Sequence, residues 1–222
     1  MSQFNVVITG ANRGIGLQLA KQYAEAGAKV FATCRQPSAE LESTNATIIT
    51  DIDVAAADAA SKISQALGDE KIDLLINNAG ILTRETLDDA PATDIQQQFN
   101  VNALAPLMIT VGLLPHLNQD AKVAMITSRM GSLTDNGSGG YYGYRMSKAA
   151  LNAAGVSLAR DLKDSGIAVA LLHPGYVQTD MVNNTGDITA AESAQRLRQR
   201  IDQLTMANSG TFWHSNGEVL PW

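Results

Sequence analysis

A short apolar run, Phe4 to Thr9, breaks at Gly10-Ala11-Asn12-Arg13-Gly14-Ile15-Gly16 and passes straight into a helical pattern through Leu19, Tyr23 and Ala24. Gly27 closes that helix, and Ala28 to Cys34 reads as a second strand. Strand, glycine turn, helix and strand within about thirty residues make a βαβ unit, which requires a parallel strand pair with a helix packed across it. The glycines have a physical task. A Cβ at Gly10, Gly14 or Gly16 would obstruct the tight turn or hold a pyrophosphate away from the N–H groups at the helix start. The turn therefore predicts dinucleotide binding, with Asn12, Arg13 and Ile15 lining it beside the glycines. Its Gly-x-x-x-Gly-x-Gly spacing differs from the Gly-x-Gly-x-x-Gly fingerprint, and it lacks the Lys-Ser/Thr pair of a P-loop. A plain glycine turn would look the same in isolation; its place between strand and helix favours the dinucleotide.

Where the second strand ends, an NAD site usually carries an acid for the ribose hydroxyls, about twenty residues past the glycines. This chain has Thr33-Cys34-Arg35-Gln36 there and no acid before Glu40. Arg35, helped by Arg13, can instead pair with a 2′-phosphate, so NADP(H) is expected. Ala46 to Ile52 reads as a third strand, and Asp53 and Val54 beyond it offer an acid and a backbone group to the adenine. Ile72 to Ile76 is a buried fourth strand running into Asn77-Asn78-Ala79-Gly80, where Asn78, Ala79 and Gly80 would meet the ligand. One long helix is expected from Ala92 to Leu114, carrying Ile95, Phe99, Leu107 and Val111, with Pro106 freeing the carbonyl of Asn102 in mid-helix. Ala121 to Thr127 and Ile167 to Leu172 follow as strands, and Gly210 to Trp213 is an edge-strand candidate. Strands alternating with helices, with no repeat or linker, predict one α/β domain over residues 1–222. Its fold would be a doubly wound parallel sheet of about seven strands, the Rossmann arrangement.

The second informative stretch runs from Ser128 to Lys148. Tyr144 and Lys148 stand four residues apart, one helical turn on one face, while Tyr141 and Tyr142 have Arg145 and Met146 at that spacing. A cation beside a phenol favours phenolate and lowers the tyrosine from its usual value of about 10, as a general acid or base needs. Ser128 would hold a substrate oxygen beside that phenol. A helix with a small-residue face (Ala149, Ala150, Ala153, Ala154) continues beyond, open to close packing within the fold or between subunits.

Charge and composition narrow the partners. A net charge of −6 without a basic run argues against nucleic acid or an anionic membrane surface. The one cysteine, Cys34, excludes an internal disulfide, and the three histidines show no metal spacing. The N-terminus lacks a basic leader, and Val101 to Pro115 reads as too short and too interrupted to span a bilayer, so a cytoplasmic, metal-free protein is expected.

These segments in this order resemble the short-chain dehydrogenase/reductase family over essentially the whole chain. The likeness rests on Thr9 to Gly16, Asn77 to Gly80, Asn102 in Asn-Val-Asn-Ala, Ser128, Tyr144 with Lys148, and Pro174-Gly175-x-Val177-x-Thr179. It implies a catalytic tetrad of Asn102, Ser128, Tyr144 and Lys148. It also implies that Pro174, Gly175, Val177 and Thr179 clasp the nicotinamide and that Lys148 binds its ribose. Ser128-Arg129-Met130-Gly131-Ser132, the Gly-Gly-Tyr-Tyr spacer and the Pro-Trp ending are similar to the small sniffer and C-factor subgroup of NADPH-dependent carbonyl reductases. The implied activity is hydride reduction of an aldehyde, ketone or quinone with Tyr144 as general acid, by a homo-oligomer, with a dimer favoured. The loop from Ser128 to Tyr144 is slightly longer than in many members, which leaves Ser132 as the alternative serine. The C-factor likeness keeps a dinucleotide-binding signalling protein as the rival function. A sugar-nucleotide epimerase would need a large substrate domain, and only about forty residues follow Thr179.

Overall fold

The computed structural model describes residues 3–222. The apolar runs become the strands β1 (Asn5–Thr9), β2 (Lys29–Thr33), β3 (Thr47–Ile49), β4 (Ile72–Asn77), β5 (Leu117–Ile126), β6 (Ala168–His173) and β9 (Phe212–His214). These seven pair in parallel in the order β3-β2-β1-β4-β5-β6-β9. Successive strands add outward from β1 to β3, after which β4 returns to the other side of β1. That reversal opens a crevice at the carboxyl ends of β1 and β4, where ligands bind in sheets of this kind. The glycine turn follows β1 and Asn77 to Gly80 ends β4, so both border the crevice. A further parallel ribbon, β7 (Val177–Gln178) with β8 (Ile188–Thr189), has no counterpart in the sequence reading.

Helices cover both faces, which is why the strands read as continuous apolar runs. On one side α1 (Gly14–Glu25), the short α2 (Ala39–Glu42) and α7 (Ala190–Asp202) bury Leu19, Leu41, Leu197 and Ile201 against Val6, Ile8, Leu74 and Ile76. On the other, α3 (Ala59–Leu67), α5 (Ala105–Leu113) and α6 (Tyr142–Asp161) bury Ile63, Ile109, Leu113 and Leu151 against Val7, Leu75, Val123 and Met125. The alternation of Val6, Val7 and Ile8 between the two cores is the two-residue period of a strand. Each such fully buried Leu or Ile contributes about 1.5–3 kcal/mol.

Several expectations change. The third strand is shorter than Ala46 to Ile52, because Asp51 turns out of it with φ 59°. The helix after Ala92 is α4 (Ala92–Phe99), a π-helical turn (Asn100–Leu104) and α5 in direct succession. Ahead of Pro106, which has no N–H, Ala105 donates to the Asn100 carbonyl five residues back, so the backbone widens into a π-turn at Asn102. Its expected apolar stripe splits: Phe99 and Val111 lie outside, Ile95 and Leu107 are half-buried, and Ile109 and Leu113 take the core. Phe99, Leu104, Met108 and Val111 are exposed, whereas Gln98, Asn102 and Thr110 are buried. The helical run Ala92–His116 is 25 residues long, so by length and apolar composition alone it would cross a bilayer, contrary to the expectation from Val101 to Pro115. In this fold its inner face packs on α3 and α6. The alanine face of α6 is only partly used within the fold: Ala149, Ala150 and Ala154 are half-buried and Ala153 is exposed, and the close approach to β6 is made by Gly155, whose Cβ would fall 2.7 Å from Leu171.

Candidate active site

The glycine turn is as tight as its sequence requires. Gly10 has φ 66°, and a Cβ there would sit 2.8 Å from the Ala79 Cα; one at Gly16 would sit 2.3 Å from the Gly10 carbonyl oxygen. The turn is fastened to the end of β4. The Thr9 hydroxyl accepts from the N–H of Asn78 at 3.0 Å and of Ala79 at 3.1 Å. The Asn78 amide donates to the carbonyls of Thr9 and Gly10 at 3.0 and 3.1 Å, so this side chain braces the turn. α1 then begins after Arg13 and Asn12 with no side-chain cap and no acid in its first turn. Its N–H groups and positive dipole end suit a phosphate, and Ile15 is half-buried beside them.

Arg35 projects from the end of β2, exposed and without an ion-pair partner among the described residues. Arg13, expected beside it, instead pairs with Asp180 at 3.2 Å. Both partners are about two-thirds exposed (67% and 65%), so the pair is weak and a phosphate can compete for it. Asp53 is exposed and its carboxylate accepts from the Ala55 N–H at 3.0 Å, while Val54 is half-buried next to it.

Pro174 to Thr179 faces this turn across the crevice. Gly175 has φ 95°, Val177 is buried, and the Thr179 methyl would lie 3.3 Å from a Cβ at Gly14. The Pro174 carbonyl accepts from two buried hydroxyls, Ser193 at 2.9 Å and Ser215 at 3.0 Å. Neither serine carries a recognisable sequence signal.

The tetrad residues converge at the carboxyl edge of the sheet. Ser128 lies two residues past the end of β5, and its hydroxyl accepts from the Met130 N–H at 3.1 Å. The Ser132 hydroxyl instead accepts from the Asp135 N–H at 3.1 Å. A Cβ at Gly131 would lie 2.8 Å from the Lys148 backbone, so the Ser128 turn rests directly on α6. Lys148 is buried, its Nζ 5.6 Å from the Tyr144 ring centroid and donating to the Ile126 carbonyl at 2.9 Å. The Asn102 side chain is locked: Oδ1 accepts from the Ile81 N–H at 2.8 Å, and Nδ2 donates to the Ile81 carbonyl and the Ser147 hydroxyl. A Cβ at Gly80 would lie 3.3 Å from Asn102 Oδ1 and 3.8 Å from Lys148 Nζ, so these elements meet at one point.

Electrostatics depart from expectation. Burial raises the Tyr144 phenol to about 12, and the Ser128 hydroxyl, acting the other way, only partly offsets it. Burial also lowers the Lys148 ammonium to about 8. The anticipated depression of Tyr144 by Lys148 is not what sets the phenol: burial is the larger influence and Ser128 the opposing one. His173, at the end of β6, is pushed down to about 3 by burial first, then by His214, Arg129 and Lys148. It stays neutral at its place beside the tetrad. No cluster able to hold a metal occurs among the described residues.

A family model described as short chain dehydrogenase matches residues 5–204. The chain is 36% identical over 223 aligned positions to 1-hydroxy-2-glutathionyl-2-methyl-3-butene dehydrogenase of Rhodococcus sp. (strain AD45), covering 98% of this chain and 99% of that protein. It is 46% identical to C-signal of Myxococcus xanthus over 154 positions, 68% of this chain and 93% of that protein. Among solved structures, NADPH-bound carbonyl reductase from chicken fatty liver superposes with a TM-score of 0.89 at 30% identity, each chain covered in full. The carbonyl reductase Sniffer of D. melanogaster gives a TM-score of 0.88 at 29% identity, again over both chains in full.

Proposed function

The chain belongs to the short-chain dehydrogenase family, and on that premise we propose that it is an NADP(H)-dependent oxidoreductase reducing a small aldehyde, ketone or quinone to the alcohol. The observation that carries the reading is a phenol held protonated beside Ser128, one helical turn from a buried lysine. The residues fit the cofactor. Its pyrophosphate would meet the uncapped first N–H groups of α1, behind a turn packed so tightly that a Cβ at Gly10 or Gly16 would strike Ala79 or the Gly10 carbonyl, and Arg35 stands free for the 2′-phosphate. The likeness to carbonyl reductases, one of them NADPH-bound, supports the same choice.

When bound, NADPH would supply the hydride for the carbonyl carbon. Ser128 holds the carbonyl oxygen through its hydroxyl, and Tyr144 delivers a proton to that oxygen as its charge develops. A phenol raised to about 12 carries its proton at neutral pH, the form a general acid needs. Lys148 would hold the nicotinamide ribose and return a proton to Tyr144, with Asn102 supporting the path to solvent at the π-turn. Pro174, Gly175, Val177 and Thr179 would clasp the nicotinamide. Fixing donor and acceptor in contact is the main entropic gain.

The exposed stripe of Phe99, Leu104, Met108 and Val111, with exposed Met146 on α6, supports a homodimer packed through these helices. We assign the protein to the cytoplasm on composition. A second reading, a signalling protein with little turnover, is favoured by the likeness to C-signal.

The test is a titration of purified protein with NADPH and NADH, then loss of reduced-cofactor absorbance across aldehydes, diketones and quinones. NADPH preference with turnover is expected, abolished in Tyr144→Phe with NADPH affinity retained. Tight binding without turnover would favour the signalling reading. Turnover surviving in Tyr144→Phe would remove Tyr144 from the chemistry.

A further inference from the structure

Glu85 is 3% exposed, although Arg84 and Thr86 on either side of it face solvent. A carboxylate taken out of water costs several kcal/mol unless its oxygens are bonded. Three donors converge on this one. Oε1 accepts from the Gln98 amide at 2.6 Å and from the Thr83 hydroxyl, and Oε2 accepts from the Gly143 N–H at 3.1 Å. Gln98 is itself fully buried, and its amide oxygen is taken by the Thr83 N–H at 3.0 Å, so its NH2 is committed to Glu85.

The contacts fall on the first turn of α6, immediately before Tyr144. Tyr141 opens that helix with φ 52°, a left-handed conformation that costs a bulky residue about 1–3 kcal/mol. Glu85 holds both sides of it: its carbonyl accepts from the Tyr141 N–H at 3.0 Å and its carboxylate from Gly143. A Cβ at Gly143 would fall 2.3 Å from Gln98 Nε2 and 2.9 Å from the Ile95 Cα, so the helix start is seated hard on α4. A negative group is also favoured at a helix N-terminus.

We propose that Glu85 is a positioning residue, which fixes the first turn of α6 and thereby sets where the Tyr144 phenol points relative to Ser128. This rests on Tyr144 being the proton donor. Carboxylate is required because an amide in its place would aim an N–H at one of three donors. Displacing a reacting group by about 1 Å costs on the order of a hundredfold in rate.

The experiment compares Glu85→Gln, Glu85→Asp, Tyr144→Phe and wild type, measuring NADPH affinity, kcat and KM for menadione, together with a crystal structure of E85D. E85D keeps the charge but withdraws it from Gly143, so it tests the proposal even if E85Q does not fold. The expected result is a kcat loss of about a hundredfold in E85Q and about tenfold in E85D, with NADPH affinity within about twofold of wild type. In the E85D crystal structure the Tyr144 hydroxyl should move away from Ser128. Full kcat, an unmoved phenol, or loss of NADPH binding in parallel with kcat would each overturn the proposal. Full turnover in Y144F overturns the reading of Tyr144 itself, and Glu85 with it; an inactive Y144F beside a fully active E85D overturns Glu85 alone.

Discussion

Two helices begin at the ligand-bearing edge of the sheet, and they begin differently. α1 starts after Arg13 with its first N–H groups uncapped by any side chain and no acid in its first turn. α6 starts at a left-handed Tyr141, and a carboxylate 58 residues back along the chain bonds its Gly143 N–H. Both ends carry the same partial positive charge. The protein fills one with its own anion and leaves the other for an anionic ligand. A helix N-terminus thus serves as a binding element only where the fold withholds a capping group; where the fold supplies one, the helix is being aimed.

Closing the α1 end should give the largest effect. Gly16→Ala places a methyl 2.3 Å from the Gly10 carbonyl and 2.5 Å from the Asn78 amide, both parts of the brace. NADPH binding should become undetectable by calorimetry, with about 1–3 kcal/mol lost in denaturant unfolding. Unimpaired binding would mean that the turn is not the phosphate cradle. A milder intervention gives α1 the anion that α6 already has. Asn12→Asp should weaken NADPH roughly tenfold, about 1.4 kcal/mol, and leave the unfolding midpoint unchanged or slightly raised. An unchanged affinity would erase the distinction between the two helix starts.

The smallest effect concerns the α6 end. Folding lowers Lys148 from its ordinary 10.5 to about 8, so between those values the unfolded chain binds more protons than the native one. Stability contributed by this group therefore rises as pH increases from 8 toward 10.5. The gap in melting temperature between wild type and Lys148→Met should shift in favour of wild type on going from pH 7 to 9.5. A pH-independent gap would mean that Lys148 is not desolvated. Above pH 10 the raised Tyr144 acts in the opposite sense, because the native state then retains the extra proton.

The α1 end was legible in the sequence because its requirement is local: three glycines in seven residues, and an arginine where an acid would otherwise stand. The Tyr144 and Lys148 pair was legible for the same reason. Glu85 was not, since a lone acid in a polar segment looks like a solvated one, and only the approach of Gly143 and Gln98 gives it a purpose. The helix from Ala92 misled in the converse way. Phe99 and Val111 fit an apolar period but face outward, while the inner face is shared by core-packed Ile109 and Leu113 and by Gln98 and Asn102, which bond the backbone of Thr83 and Ile81. The Arg13 partner and the serines behind Pro174 likewise depend on segments remote in sequence.

Arg13 and Asp180 lie 167 residues apart, yet they bridge one groove, where Gly14 also meets Thr179. The wall that begins the chain waits for a wall made near its other end. During synthesis the first βαβ unit emerges early, but the groove is complete only after β6 and the segment beyond it have joined the sheet. The glycine turn is thus only one wall of that groove until Thr179 and Asp180 arrive.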